Sequence, residues 1–116
     1  MFVEWIKCQG DVWCKLNTVN LSHPHFDSLR GVYIIWHGGS DAATVKVGQG
    51  NIKERLQSHR NNPDIQKFES RTLYVTWAKV DELSMNGVEA FLGNKLSPLI
   101  PSIFPRVNEI EVNLPW

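Results

Sequence analysis

Five polar side chains stand out in this sequence because of the company they keep. Tyr33 lies inside the apolar run Gly31-Val32-Tyr33-Ile34-Ile35-Trp36, and strand alternation turns it away from Val32, Ile34 and Trp36. Lys46 sits between Val45 and Val47. Arg55 and His59 are four residues apart, so on a helix they share a face. Glu89 is flanked by Val88 and Ala90, with Leu92 three positions on. A carboxylate beside such an apolar stripe needs either the margin of the stripe or a cationic partner. A phenol, an ammonium, a guanidinium, an imidazole and a carboxylate can together hold an anion, ligate a hard cation and move a proton. Each also has a plainer reading: a half-buried sheet tyrosine, a solvent-facing lysine, a solvated helix face, and an ion pair of Glu89 with Lys95.

The charge pattern bears on what an anion-holding site would meet. Twelve basic and twelve acidic residues give zero formal net charge, unlike proteins that bind nucleic acid through bulk charge. The distribution is uneven. Between Thr44 and Thr72 six basic residues face three acids, whereas from Asp81 to Trp116 two face five. The middle of the chain is where a phosphate would be welcome. With 42% hydrophobic and 21% charged residues, the composition is that of a folded domain. The 116 residues suit one domain spanning 1–116. No apolar run reaches the roughly 18 residues a membrane helix needs. The start, Met1-Phe2-Val3-Glu4-Trp5, lacks the apolar core of a signal peptide. The expectation is a cytoplasmic protein with no membrane association.

The elements that must position the five side chains follow from periodicity and capping. Residues 2–8 and 12–19 read as two short strands of an N-terminal hairpin around Gln9-Gly10-Asp11, followed by a loop or single helical turn at Ser22–Asp27. Residues 31–36 and 44–48 read as paired strands around the turn cluster His37-Gly38-Gly39-Ser40-Asp41. Asn51 is placed to cap a helix from Ile52 to about Arg60, which Asn61-Asn62-Pro63 stops. Arg71–Val80 reads as a third strand, with Leu73, Val75 and Trp77 on one face. Asp81 starts a helix bearing Val88, Phe91, Leu92 and Leu96 and ending near Pro98, and Glu109–Leu114 reads as a short final strand. This order predicts an α+β domain, a small antiparallel sheet flanked by helices. Cys8 and Cys14 flank the first turn. With His23 and His25 they match no common zinc spacing, and a cytosolic setting would keep them as reduced, small apolar side chains.

Several of these residues fall in an ordered set of short motifs. Gly31-Val32-Tyr33, then Lys46-Val47-Gly48 after 12 intervening residues, resembles the two strand motifs that name the GIY-YIG nuclease family. Gly48-Gln49-Gly50-Asn51-Ile52-Lys53-Glu54-Arg55-Leu56 resembles the family's passage into its arginine-bearing helix. His59 falls one turn later, where many members carry a histidine. Val88-Glu89-Ala90-Phe91-Leu92 with Pro98 resembles the family's metal-binding glutamate and the proline that follows it. The likeness spans about residues 31–101, leaving 1–30 as the N-terminal hairpin and loop. Two positions depart from the pattern. Lys46 stands where the second motif has its tyrosine, and Pro101 stands where an asparagine is common, although Asn108 follows later. These departures bear on substrate choice more than on fold.

The resemblance implies a divalent-metal-dependent endonuclease acting on nucleic acid, with DNA the expected partner. Glu89 would be the single protein ligand of Mg²⁺ or Mn²⁺, which keeps most of its waters. Arg55 would hold the phosphate by paired hydrogen bonds. Tyr33 would take a proton from the attacking water, its pKa brought down from near 10 by Lys46 or Arg55. His59 would orient or activate the same water. A second reading keeps the fold and drops the chemistry, leaving a nucleic-acid-binding or protein-interaction module. Neutral charge, Lys46 and Pro101 favour that reading, whereas Tyr33, Arg55 and Glu89 favour the enzyme. Gly-x-Ser-x-Gly, phosphate-loop and His-Glu-x-x-His motifs are absent, which argues against the enzyme classes they mark.

Overall fold

Strand β2 (Arg30–His37) is the centre of the sheet, and every residue from Gly31 to Ile35 is buried. It pairs antiparallel with β3 (Ala43–Asn51) on one side and β4 (Leu73–Lys79) on the other. A two-residue strand β1 (Cys14–Lys15) completes the order β1-β4-β2-β3. A strand covered on both faces needs apolar residues at nearly every position, which accounts for the unbroken run around Tyr33. This architecture comes from a computed structural model, which describes residues 1–101, 103–104 and 106–116. The expected α+β class, with its central antiparallel sheet and flanking helices, is the one observed.

The helices cover both faces of the sheet. Helix α1 (Ile52–Arg60) begins at Asn51, whose side chain accepts from the Glu54 amide at 3.0 Å. Its buried residues Ile52 and Leu56 join Tyr33, Ile35, Val75 and Trp77 in one core. Helix α3 (Glu82–Leu96) sends Met85, Val88 and Leu92 into a second core with Val32, Ile34, Val47 and Ala78. The stop at Asn62-Pro63 is also a start. Asn62 accepts from the Asp64 amide, and Pro63 opens the short helix α2 (Pro63–Gln66), where a proline loses no helical hydrogen bond. The third strand begins at Leu73 rather than Arg71, because a 3-10 turn occupies Glu69–Arg71.

The chain ends differ most from the expectation. Of the N-terminal hairpin, one bridge between Cys8 and Val12 remains. The two arms lie end to end along β4: the Ile6 amide donates to Trp77 O, Cys14 pairs with Val75, and the Leu16 amide donates to Leu73 O. Residues 8–14 loop out between them. A Cys8–Cys14 disulfide closes this excursion, so the two thiols are not the reduced, independent side chains expected from the sequence. The segment 109–114 is not a strand. It meets the N-terminus through two carbonyls and one side chain: Glu111 O accepts from the Met1 ammonium at 3.0 Å and Asn113 O from Trp5 Nε1 at 2.8 Å, while Asn113 Oδ1 accepts from the Val3 amide at 2.7 Å and Nδ2 donates to Val3 O at 2.9 Å. A side-chain amide presents one donor and one acceptor, as a strand neighbour would. Among the described residues no helix is long and apolar enough to cross a membrane.

A cross-link that closes so short a loop stabilises mainly by restricting the unfolded chain, by about 2 kcal/mol. Reducing Cys8–Cys14, or replacing both with alanine, should lower the unfolding free energy by that amount, read as a lower urea midpoint at unchanged slope, and leave the far-UV circular dichroism unchanged. An unchanged midpoint would show that the bridge contributes nothing to stability.

Candidate active site

β3 is the last strand on its side of the sheet, so groups from the two faces can meet around its edge. A cleft of about 480 Å³ lies there, and Tyr33, Lys46, Arg55, His59 and Glu89 all line it. They come from β2, β3, α1 and α3. A β-bulge sets the reach of Lys46. Register passes from Ile35↔Lys46 to Trp36↔Thr44, leaving Val45 as the extra residue. Val45 and Val47 consequently enter different cores, and Lys46 is half-buried at the cleft rather than on an open strand face.

Two glycines of β3 make room for the larger groups. Gly48 pairs with Tyr33, and a Cβ at Gly48 would overlap the Tyr33 hydroxyl and ring. Gly50 has φ +127°, and a Cβ there would approach Arg55 Nε to 3.1 Å. The phenol therefore lies across one glycine and the guanidinium beside the other. His59 is not at the rim. It continues the buried stripe of Ile52 and Leu56, is 8% exposed, and places Nε2 2.6 Å from Tyr33 Oη. Arg55, four residues earlier, is exposed at the stripe's margin.

Burial dominates the electrostatics. It pushes Tyr33 well above its ordinary pKa; Arg55 pulls the other way and Glu89 adds to the rise. The expected help from Arg55 is thus present but outweighed. Burial, then Lys46 and Arg55, depress His59 to about 4. Tyr33 and His59 are therefore both neutral at pH 7. If the phenol donates to Nε2, the proton of the neutral imidazole sits on Nδ1, which is buried without a hydrogen-bond partner among the described residues. Lys46 is lowered by burial, partly offset by Glu89. Glu89 is raised by burial, against a hydrogen bond from Gln49 and the charges of Lys46 and Arg55.

Sequence reasoning missed several lining residues. Gln49 donates to both Glu89 and Asn86. Asn86 precedes Glu89 by three residues on α3, a helical spacing that was open to view. Arg30 also lines the cleft and pairs with Glu82 at 2.6 Å, a contact across elements that no spacing announces. Neither Pro101 nor Asn108 is among the lining residues described. Among the described residues no group of three or more His, Cys, Asp or Glu is placed to hold a metal ion, and Glu89 is the one carboxylate of the cleft.

Gly48→Ala should cost about 1–3 kcal/mol, the usual range for overpacking, and should displace the Tyr33 ring; a thermal melt and the tyrosine ring NMR shifts test both. The His59 imidazole shifts should inflect near pH 4 rather than 6.5. A folded pKa below the unfolded one means that unfolding takes up protons in this window. The stability contributed by neutral His59 is full above about 6.5 and is lost as pH falls toward 4, so urea midpoints should drop more steeply across that range in the wild type than in His59→Gln. An inflection near 6.5 would contradict a buried neutral histidine. No family model matches the chain, and neither the curated proteins nor the solved structures include one significantly similar to it.

Proposed function

We propose that this protein is a divalent-metal-dependent endonuclease of the GIY-YIG type, hydrolysing phosphodiester bonds of nucleic acid, with DNA the preferred substrate. The observation that carries the reading is the meeting of Tyr33, Lys46, Arg55, His59 and Glu89 in one cleft from four separate elements. Glu89 suits a single hard cation. Its carboxylate is half-buried, it has no ion pair among the described residues, and its surroundings disfavour the bare charge. A buried carboxylate in that condition calls for a counter-charge, and Mg²⁺ or Mn²⁺ bound by one carboxylate keeps the rest of its shell as water. Such an ion would relieve charge on the phosphoryl and leaving oxygens.

The chain's own groups supply the remainder. Arg55 holds the phosphate by paired hydrogen bonds from its guanidinium. Lys46 adds positive charge beside it. Tyr33 is protonated at neutral pH, so it accepts the water proton at Oη only as its own proton leaves. His59 Nε2, at 2.6 Å, is positioned to receive that proton. In the free protein burial, and after it Lys46 and Arg55, disfavours an imidazolium. A bound phosphate offsets both cations, which raises the proton affinity of His59 when it is needed. Cytoplasmic location belongs to the same proposal. There Cys8–Cys14 would meet a reducing thiol pool, and thiol labelling in intact cells reports its state.

A cleavage assay on single- and double-stranded DNA and RNA tests the reading. Turnover should require Mg²⁺ or Mn²⁺. Glu89→Ala should abolish it without lowering the melting temperature appreciably. Tyr33→Phe should keep substrate binding and lose turnover, and should also cost about 1 kcal/mol by removing the bond to His59. Arg55→Ala should weaken both binding and turnover. Turnover that survives Glu89→Ala and a chelator would refute the mechanism. The alternative, a binding module on the same fold, is favoured by the raised pKa of Tyr33 and zero net charge. Salt-sensitive binding with no cleavage under any metal would select it.

A further inference from the structure

Gln49 is the residue of the cleft whose role the catalytic reading leaves open. Its Nε2 lies 2.7 Å from Asn86 Oδ1 and 3.0 Å from Glu89 Oε1. An amide nitrogen has two hydrogens, and these two contacts use both. An ionised carboxylate only accepts, so the nitrogen and not the oxygen of Gln49 must face Glu89. Asn86 and Glu89 sit one turn apart on α3, while Gln49 is fixed on β3 by pairing with Val32. The arrangement ties the carboxylate to the sheet edge by one oxygen and restrains its rotation.

We infer that Gln49, itself held by Asn86, is a positioning residue that aims the Glu89 carboxylate at a divalent cation and sets the affinity for that cation. The inference rests on the metal-dependent reading above. Partners that orient a ligating carboxylate typically contribute 10- to 100-fold in metal affinity, and a donor to one oxygen also stops the group rotating away when the cation leaves.

Mn²⁺ binding, followed by electron paramagnetic resonance of the free ion, tests this without reference to activity. The proteins compared are wild type, Glu89→Ala, Gln49→Ala, Gln49→Met and Asn86→Ala. Gln49→Met keeps the side chain's length and removes the donor. Both Gln49 variants should bind Mn²⁺ about 10- to 100-fold more weakly than wild type, with unchanged melting temperature. Asn86→Ala should shift affinity in the same direction by less. Cleavage by the Gln49 variants should recover at high Mn²⁺, with the KM for the nucleic acid unaltered. Affinity within twofold of wild type in both Gln49 variants, while Glu89→Ala loses binding, would overturn the positioning role and leave the metal site standing. Loss of fold in both Gln49 variants would equally count against it, making Gln49 a structural residue. If wild type itself binds no Mn²⁺, or Glu89→Ala binds it unchanged, the metal-dependent reading falls and takes this inference with it.

Discussion

The Tyr33 ring lies across Gly48, and much of the cleft depends on that contact. The two residues are register partners on neighbouring strands, and any side chain at 48 would take the space the phenol occupies. With the ring lying flat over β3, its hydroxyl reaches the inner face of α1 and meets His59 at 2.6 Å. That bond costs little entropy because both partners are buried in a close-packed core. His59 shares the buried stripe of α1 with Ile52 and Leu56, and Arg55 leaves the margin of that stripe beside Gly50. A glycine in a strand ordinarily weakens it. Here the loss is offset by an aromatic group that could not otherwise lie so near the edge.

The same edge joins two cores that have no side chain in common. Tyr33 and His59 belong to the α1 side of the sheet, and Glu89 belongs to α3 on the other. An interior strand would keep them apart by the thickness of the sheet. At the terminal strand the two layers come together, and the bulge at Val45 turns Lys46 toward the junction. The resulting cleft gathers three cations (Arg30, Lys46 and Arg55), a carboxylate and a neutral hydrogen-bonded pair, and burial shifts Tyr33, Lys46, His59 and Glu89 each against its charged form. Such concentration of desolvated titratable groups is characteristic of functional sites, although structural networks produce it too.

What was legible in the sequence was what local rules decide. The run from Gly31 to Trp36 reads as a strand because β-branched and aromatic residues fill it without interruption. Asn51 reads as a cap because its side chain can reach the first free amides of the helix, and it does. The five cleft residues were legible through alternation, helical spacing and likeness to a motif set. Long-range facts were not. Whether Cys8 and Cys14 bridge depends on how the first residues lie against β4, which no periodicity encodes. Residues 109–114 have strand-like composition but bond to α3 at Ile110 and to the N-terminus at Glu111 and Asn113 without forming a ladder. His59 is buried because its spacing of seven and three from Ile52 and Leu56 puts it on their stripe, whereas its spacing from Arg55 alone does not say which of the two faces inward. The pKa of Tyr33 went the other way from the expectation because nearby cations are visible in sequence and burial is not.

Both rims of the sheet are partly sealed by stretches of chain that are themselves not strands, apart from the two residues of β1. On one rim Ile6 and Leu16 bond to β4 on either side of β1. On the other, the amides of Leu99 and Ile100 donate to Thr44 O and Val45 O. An uncovered rim is a template on which another chain can add a strand, and so a route to aggregation. Among the described residues that cover lies along the first residues of β3, and the glycine-bearing stretch beyond them lines the cleft. An edge open to a ligand of the proposed site is open to a second copy of the chain as well. Lys46 and Arg55 flank it, and like charges brought face to face by two copies repel. The cations proposed to bind phosphate thus also help keep the molecule from pairing with itself.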